Sequence, residues 1–281
     1  MKKILFLISA IALINVVISC SDDDDPKRGN GTFTVSTSMV NHMVNTTSGE
    51  AIGIASTTNK ITLNTVNQTA ELELHYLDGN IEKTLKLDNV IAKPTRLSFY
   101  ELSSPSDASL SGYVDINEGV IMRFRYTTPE GIRIISTMPE VFFMKTQNTV
   151  TYDDTTKTST YENTMYQFYL TPASLSAIVK VMDIVHDKDL KHFKKITASS
   201  VPVTVTPNGF IVSGENLKTN AKYISTLDSL GGTEKDTDKY PFKTFNATID
   251  LVNDQLNATY MIGSSATVVA TGSTYPDYTS Y

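Results

Sequence analysis

The chain has 281 residues, of which 40% are hydrophobic and 19% charged, with a net charge of −6 at pH 7. An acidic balance argues against nucleic acid as a partner, because binding phosphates requires clustered Lys and Arg. The hydrophobic content is sufficient for a core in one or two domains. The single cysteine excludes a disulfide within the chain.

The first 19 residues are predicted to be a secretory signal peptide. Lys2 and Lys3 precede an almost wholly apolar run over 4–19, shorter than the about 20 residues that span a bilayer. A basic start, a short apolar core and a small residue before the boundary are typical of export signals. Removing 1–19 takes Lys2 and Lys3 from the 24 basic side chains and leaves 22 against 30 acidic ones, a net charge of −8.

The sequence Val17-Ile18-Ser19-Cys20 resembles the lipobox of bacterial lipoproteins. In that family the cysteine thiol is joined to a diacylglycerol, the chain is cut before the cysteine, and the new amine is acylated with a fatty acid such as palmitate. Ser19 and Cys20 provide the small residue and the thiol, whereas Ile18 is bulkier than the usual choice. The resemblance implies that Cys20 is the lipidation site and that outer-membrane lipid is a partner, since several acyl chains anchor a protein firmly.

Ser21 is followed by four consecutive aspartates, Asp22, Asp23, Asp24 and Asp25. This run resembles the acidic export signal that follows the cysteine in surface lipoproteins of the Bacteroidota. The resemblance implies an outer-membrane protein that faces the cell exterior. Charge alone also explains the run as a solvated, self-repelling spacer. We expect 20–31 to form a lipidated, flexible tether, because 26–31 has no hydrophobic period.

Period-two alternation dominates the rest of the chain and predicts a mostly β fold. In 69–76, Leu72, Leu74 and Tyr76 fall on one face and polar side chains on the other, as in a half-buried antiparallel strand. Similar alternation predicts strands over 83–91, 95–101, 110–117, 119–126, 131–137, 140–145, 165–171, 175–183, 194–206, 208–214, 243–251, 254–262 and 264–272. Turn signals such as Asp78-Gly79-Asn80 separate them. Regular short strands of this kind predict an antiparallel meander that forms a sandwich or a barrel.

We expect two β domains, 32–145 and 164–275, followed by a tail at 276–281. Between them, 146–163 is polar, Thr-rich and without a hydrophobic period, and is expected to be a linker or a long hairpin loop. The pattern as a whole loosely resembles the calycin-like β-barrel domains of uncharacterised Bacteroidota lipoproteins, although no motif is diagnostic. Barrels of that type often hold an apolar ligand.

The second domain looks like a repeat of the first. The segments 61–63 and 70–74 match 168–170 and 177–181 at a constant offset of 107. Later, 123–126 and 132–137 match 257–260 and 266–271 at an offset of 134. A duplicated meander with two insertions explains both offsets, and chance alternation in two β-rich segments is the alternative.

Potential metal ligands are densest in one short segment, at Asp183, His186, Asp187, Asp189 and His192. Two imidazoles with carboxylates could hold zinc. However, no recognised spacing such as H-E-x-x-H is present, and lysines are interleaved. A solvated connection between strands is the favoured interpretation, and we expect neither a metal ion nor another cofactor.

Other residue sets suggest catalysis, stacking or modification. Glu71 and Glu73 would lie about 7 Å apart on one strand face, within the range of an inverting glycosidase pair, but every outward β face has this spacing. Four tyrosines near the expected linker are candidates for a stacking platform: Tyr152, Tyr161, Tyr166 and Tyr169. Thr155 and Ser229 lie in triplets that resemble the O-glycosylation acceptor of the Bacteroidota.

Three functions remain open from the sequence. The first is a non-catalytic surface lipoprotein that binds a glycan, a peptide or a partner protein. The second is a polysaccharide hydrolase that uses the paired carboxylates of Glu71 and Glu73. The third is a structural subunit of a surface assembly that donates or accepts a strand. We favour the first, because the chain has no nucleophile elbow, P-loop or dinucleotide-binding fingerprint.

Overall fold

The computed structural model of the chain is almost entirely β, in two sheets that each curl around a core of their own. It describes residues 17–20, 31–95, 99–104, 110–116, 121–143, 145–152, 158–162, 164–186, 191–225, 232–263 and 266–273. Within these ranges there is no α-helix, only a 3-10 turn at Pro172–Ser174. No helix there is long and apolar enough to cross a membrane. The predicted mostly β fold with two β subdomains is confirmed.

The first sheet is an antiparallel meander in which each strand pairs with the next. Its strands are β1 (Val17–Cys20), β2 (Thr32–Asn45), β3 (Ala51–Asn64), β4 (Thr69–Asp78), β5 (Ile81–Pro94), β6 (Phe99–Ser103), β7 (Ser111–Asp115), β8 (Ile121–Thr127) and β9 (Ile132–Thr137). Strand β9 returns to β2, with Thr137 opposite Val40, so β2–β9 close into an eight-stranded barrel. We call these eight strands the N-terminal unit. Strand β1 pairs with another part of the same β2 edge.

The second sheet is a curled half-barrel, which we call the C-terminal unit. Its strands are β10 (Glu140–Phe143), β11 (Lys145–Tyr152), β12 (Thr158–Glu162), β13 (Met165–Thr171), β14 (Ser176–Met182), β15 (Ile184–His186), β16 (Lys191–Thr206), β17 (Gly209–Leu217), β18 (Thr219–Ser225), β19 (Lys235–Thr237), β20 (Phe242–Asp250), β21 (Gln255–Ile262) and β22 (Ala266–Ser273). Ten strands follow the order β10-β13-β14-β16-β17-β20-β21-β22-β11-β12. Strands β15 and β18 are added onto β16, and β19 pairs with β18.

Within the segment 146–163, the described residues lie in β11 and β12, which pair with each other as the two arms of a hairpin, one of the two alternatives expected for this segment. Strands β10 and β13 pair in the same register as β11 and β12. Strand β13 also pairs with β14, and β11 also pairs with β22. The arms were not predicted because two inward positions, Thr146 and Asn148, are polar and hide the hydrophobic period. The boundary between the units therefore lies between β9 and β10, before residue 145.

Strand pairing in the two units repeats at the offsets found in the sequence. Residue pairs across β3 and β4 correspond to pairs across β13 and β14, with residue numbers that differ by 107. Residue pairs across β8 and β9 correspond to pairs across β21 and β22, with residue numbers that differ by 134. The strand pair that closes each unit combines both offsets. The matching pairs are Ile61–Leu72 with Phe168–Val179, Arg123–Thr137 with Asn257–Thr271, and Val40–Thr137 with Gln147–Thr271. This agreement supports the interpretation of an internal duplication.

An irregularity in strand pairing also occurs at equivalent places. The register shifts between Ala70 and Leu72 in β4 and again between Ala177 and Val179 in β14. On the strand opposite each shift, one residue has a left-handed backbone, Asn89 with φ 59° and Ser200 with φ 57°. Such bulges bend a strand and increase its twist. Both units therefore curl at the same point of the meander.

Buried asparagines fix the closing strand of each unit. Asn41 Nδ2 donates to Thr57 Oγ1 at 2.8 Å and to the His75 carbonyl at 2.9 Å, and its Oδ1 accepts from Ser136 Oγ at 2.6 Å. The equivalent residue Asn148 donates to Thr146 and accepts from the Tyr166 hydroxyl. Both asparagines are fully buried. The partners of Asn41 lie on β3, β4 and β9, so its bonds specify one register of β2, whereas Asn148 bonds within its own strand and to β13.

Strands β2 and β9 form a wall that both units share. Met39, Met43 and Ile134 belong to the core of the N-terminal unit, whereas Val40 and Ile135 belong to the core of the C-terminal unit. Side chains of a strand alternate between its two faces, so a strand buried on both sides contributes to two cores. The two cores are therefore built on one pair of strands.

We expect Asn41→Ala to lower the free energy of unfolding by about 2–4 kcal/mol, because it removes three hydrogen bonds that join β2 to β3, β4 and β9 and leaves a cavity at a fully buried position. Urea denaturation monitored by circular dichroism measures this change. The control is Asn257→Ala, which removes an exposed asparagine without a hydrogen bond in the described part of the chain. An equal effect of the two substitutions would contradict the role of the network.

Candidate functional site: a groove at the junction of the units

The residues proposed for anchoring and export lie at the start of the chain. Cys20 ends β1, with its backbone opposite Phe33 of β2. Asp22, Asp23, Asp24 and Asp25 lie outside the described residues, as do Thr155, Asp187 and Ser229. Lipidation, export and glycosylation therefore stay predictions from the sequence.

The candidate metal ligands do not converge. His186 is buried, with its ring against Tyr152 and Phe193, whereas Asp183 and His192 face the other side of the β15–β16 hairpin. Asp183 Oδ1 lies 3.3 Å from His192 Nε2 and 3.1 Å from Lys194 Nζ. Lys194 therefore already forms an ion pair with the carboxylate that a metal ion would need as a ligand. Within the described ranges, no group of three or more His, Cys, Asp or Glu side chains could hold a metal ion.

The paired carboxylates lie on the open outer surface of the N-terminal unit. Glu71 is exposed on β4. Glu73 lies 3.5 Å from His75 and 3.9 Å from Lys86 of the neighbouring strand. This is a cross-strand charge network that stabilises the sheet surface modestly. It contains no enclosed site that would position a sugar between two carboxylates.

The tyrosines predicted to form a stacking platform are divided between the core and the surface. Tyr166 is fully buried and its hydroxyl lies 2.8 Å from that of Tyr260. Burial raises the pKa of Tyr260 well above its ordinary value. Tyr152 is also buried, against His186. These aromatic rings are therefore structural and do not form an exposed platform.

The interior of the N-terminal barrel is filled by its own side chains. Leu74, Phe124 and Tyr126 are fully buried there and belong to one contiguous cluster. A small eight-stranded barrel is just wide enough for side chains to fill it. The apolar ligand that the calycin-like resemblance implied would need space that this core occupies. A ligand site of this unit must therefore lie outside the barrel interior.

An apolar groove of about 440 Å³ opens where the two units meet. Strand β8 contributes Ile121 and Met122 from the N-terminal unit, and the connection after β9 contributes Met138. The C-terminal unit supplies the opposite wall from β10, β13 and β14: Val141, Phe142, Met165, Gln167 and Met182. Methionine side chains are flexible and adapt to different apolar partners. The groove is suited to bind an apolar ligand.

Two large apolar side chains at the groove are exposed to solvent. Ile121 is 48% and Phe142 is 39% exposed. The sequence contains a signal for both, since they stand at outward positions of alternating strands, next to the inward Met122 and Phe143. Sequence reasoning did not use this signal, because 121 and 142 are far apart in the chain. Only the packing of β8 beside β10 brings them to one surface.

One wall of the groove has an open strand edge. Within the described residues, β10 pairs with β13 on one side only. A strand edge presents unpaired N–H and C=O groups that can pair with another strand. The groove thus combines apolar side chains with backbone groups that are able to form hydrogen bonds.

Arginines hold the units together beside the groove. Arg123 of β8 pairs with Asp254 and donates to the Leu251 carbonyl in the β20–β21 turn. Arg125 donates to the Val252 carbonyl at 2.6 Å. Because Leu251 also lines the groove, these bonds fix one of its walls. The groove is therefore preformed by the junction between the units.

A buried histidine makes a further bond across the junction. His42 Nε2 lies 2.6 Å from the Thr206 carbonyl, so this nitrogen donates its proton. Nδ1 is buried and has no hydrogen-bond partner among the described residues. Burial lowers the pKa of His42, and the nearby positive charge of Arg133 lowers it further. His42 is therefore held neutral at the junction.

Comparison with known proteins gives little further information. No family model and no curated protein matches the chain. Among solved structures, the chain is similar to a candidate outer membrane protein from Bacteroides fragilis, at 13% identity and a TM-score of 0.34, over 85% of this chain and 96% of that chain. At this TM-score no fold, activity or ligand follows from the likeness.

We expect the protein to lose stability as the pH falls below about 6.5, the ordinary value for histidine. The unfolded chain then binds a proton at His42 that the folded chain, with its lowered pKa, does not bind. His42→Gln, which keeps a donor, should lose less stability between pH 7 and pH 5 in urea denaturation. His192, whose pKa burial also lowers, is present in both proteins. His75→Gln, on the outer surface, is the control, and an equal benefit from it would contradict this assignment.

Proposed function

We propose that the protein is a non-catalytic lipoprotein of the outer membrane, anchored through Cys20 and displayed on the cell exterior. In this proposal it binds an extended apolar segment of a partner polypeptide in the junction groove. The observation that carries the binding function is the groove itself, with exposed Ile121 and Phe142 beside the open edge of β10. An extended peptide could add a strand to β10 and place alternate side chains among the methionines.

The groove favours a peptide over the other ligands considered. A glycan needs many polar partners, whereas the groove offers mainly apolar side chains. An ordinary monomer surface exposes large apolar side chains singly, and their concentration in a groove marks a binding site. A hydrolase would need carboxylates in a cleft, but Glu71 and Glu73 lie on an open face, and Glu73 is in a charge network.

The groove can be tested with a synthetic peptide of alternating valine and threonine, flanked by lysines and carrying a fluorophore. We expect saturable binding in fluorescence polarisation. A matched peptide with proline at every second position should not bind, because proline has no N–H to pair with β10. Phe142→Glu should weaken binding at least tenfold, since it places a charge among apolar side chains.

The matched control for this test is Ile81→Glu, which changes an equally apolar residue that is 66% exposed on β5. Binding to this variant should equal binding to the parent. Equal binding of the proline peptide, or equal loss in both variants, would show that the groove is not a strand-accepting site. Absence of binding to the parent would overturn the proposal for the groove and leave the anchor untouched.

The anchor has a separate test. Cys20→Ser should abolish labelling with radioactive palmitate, because the chain has no other thiol. Replacing Asp22, Asp23, Asp24 and Asp25 with alanine should keep the label but reduce digestion by protease added to intact cells. The aspartates contribute nothing to membrane partition, so their effect must act through the export machinery. If the alanine variant is digested as readily as the parent, the aspartates are only a spacer.

A further inference from the structure

A second surface, separate from the junction groove, covers the outer side of β20, β21, β22, β11 and β12, which are neighbours in this order. Its outward side chains are almost all threonine, asparagine or glutamine. We call this the amide–hydroxyl face, defined by Thr244, Asn246, Thr248, Gln255, Asn257, Thr259, Thr267, Thr271, Gln147, Thr149, Thr151, Thr158 and Thr160. Met261 and Val269 interrupt it, and Glu162 lies at one corner.

The strand registers arrange these side chains in straight rows across the sheet. One row consists of Thr248, Asn257, Thr271 and Gln147, and ends at the carboxylate residue Glu162. The next consists of Asn246, Thr259, Val269, Thr149 and Thr160. Neighbouring strands lie about 4.8 Å apart, and alternate residues of one strand about 7 Å apart. The face is therefore a regular grid of hydrogen-bonding groups.

The grid is not flat, because two depressions in it meet. One has a volume of about 750 Å³, extends towards Gln147 and Gln255, and has the carboxylate residue Glu162 in its lining. The other has a volume of about 420 Å³ and extends towards Thr244 and Asn246. Both are lined by Asn257 and Thr271, which pair directly across β21 and β22. Together they form one trough that crosses the neighbouring strands from β20 to β12, which lie about 4.8 Å apart, and this span suits a polymer better than a small molecule.

The chemistry of the trough selects a neutral, hydroxyl-rich ligand. Hydroxyl and carboxamide groups both donate and accept, as sugar hydroxyls do. The side chains of Gln147, Asn246 and Asn257 make no hydrogen bond within the described part of the chain, so their groups are available. By contrast, Glu73, His75 and Lys86 give the outer face of β4 and β5 a network of charges. We infer that the trough on the amide–hydroxyl face binds a neutral polysaccharide.

Affinity electrophoresis of the full-length protein tests this inference. The gels contain dextran, laminarin or galactomannan, with polygalacturonate and heparin as charged comparisons. We expect at least one neutral polysaccharide to retard the protein, with no change at about 0.5 M salt, because charge–charge attraction is screened there. The double variant Asn257→Ala with Thr271→Ala should weaken retardation about tenfold, since two hydrogen-bonding side chains are lost.

The matched control is Ser38→Ala with Thr58→Ala, an exposed pair that also lies directly opposite across two strands but on the N-terminal unit. It should be retarded like the parent. If the alanine pair in the trough impairs folding, Asn257→Asp keeps the side-chain shape and should still weaken retardation. Retardation by charged polymers alone, an unchanged mobility shift in the trough variants, or no retardation in any neutral polysaccharide would overturn the inference.

Discussion

The N-terminal unit depends on the closure of its meander by its first long strand, and a buried asparagine specifies that closure. In the N-terminal unit, β2 must pair with β3 on one side and with β9 on the other. A slip of one residue would turn every side chain of β2 to the opposite face. Asn41 would then lose partners on β3, β4 and β9 at once. Asn148 has the equivalent position in the C-terminal unit, but its side chain bonds to Thr146 of its own strand and to Tyr166 of β13.

The sequence predicts those strands whose inward positions are apolar. The alternation of Leu72, Leu74 and Tyr76 corresponds to β4, and similar patterns correspond to β8, β9, β13, β14, β21 and β22. Strands whose inward positions are polar are not predicted by this alternation. Asn41, Thr57 and Asn59 are buried in β2 and β3, so the sequence pattern of much of these long strands is that of surface residues. Their hydrogen-bond partners lie far away in sequence, and only the folded chain shows that burial is compensated.

The junction groove could not be predicted in the same way, because no single segment carries it. Its walls come from segments as far apart in the chain as those of Ile121 and Leu251. What the sequence does contain is an apolar residue at an outward position of each of two strands. In contrast, the amide–hydroxyl face is readable from alternation alone once the inward residues are known. The two surfaces differ in chemistry, so the peptide and the polysaccharide proposed for them would be recognised by different groups.

The wall formed by β2 and β9 affects how the protein unfolds. Val40 and Ile135 pack in the C-terminal core from strands whose other side chains fill the N-terminal core. Unfolding of either unit therefore exposes apolar side chains in the core of the other unit. This exposure lowers the free energy of unfolding by about 25 cal/mol for each Å² exposed. The two halves of a duplicated chain would ordinarily melt as separate calorimetric transitions. Here the shared wall couples them, so we expect local damage to one half to lower the resistance of both halves to proteolysis.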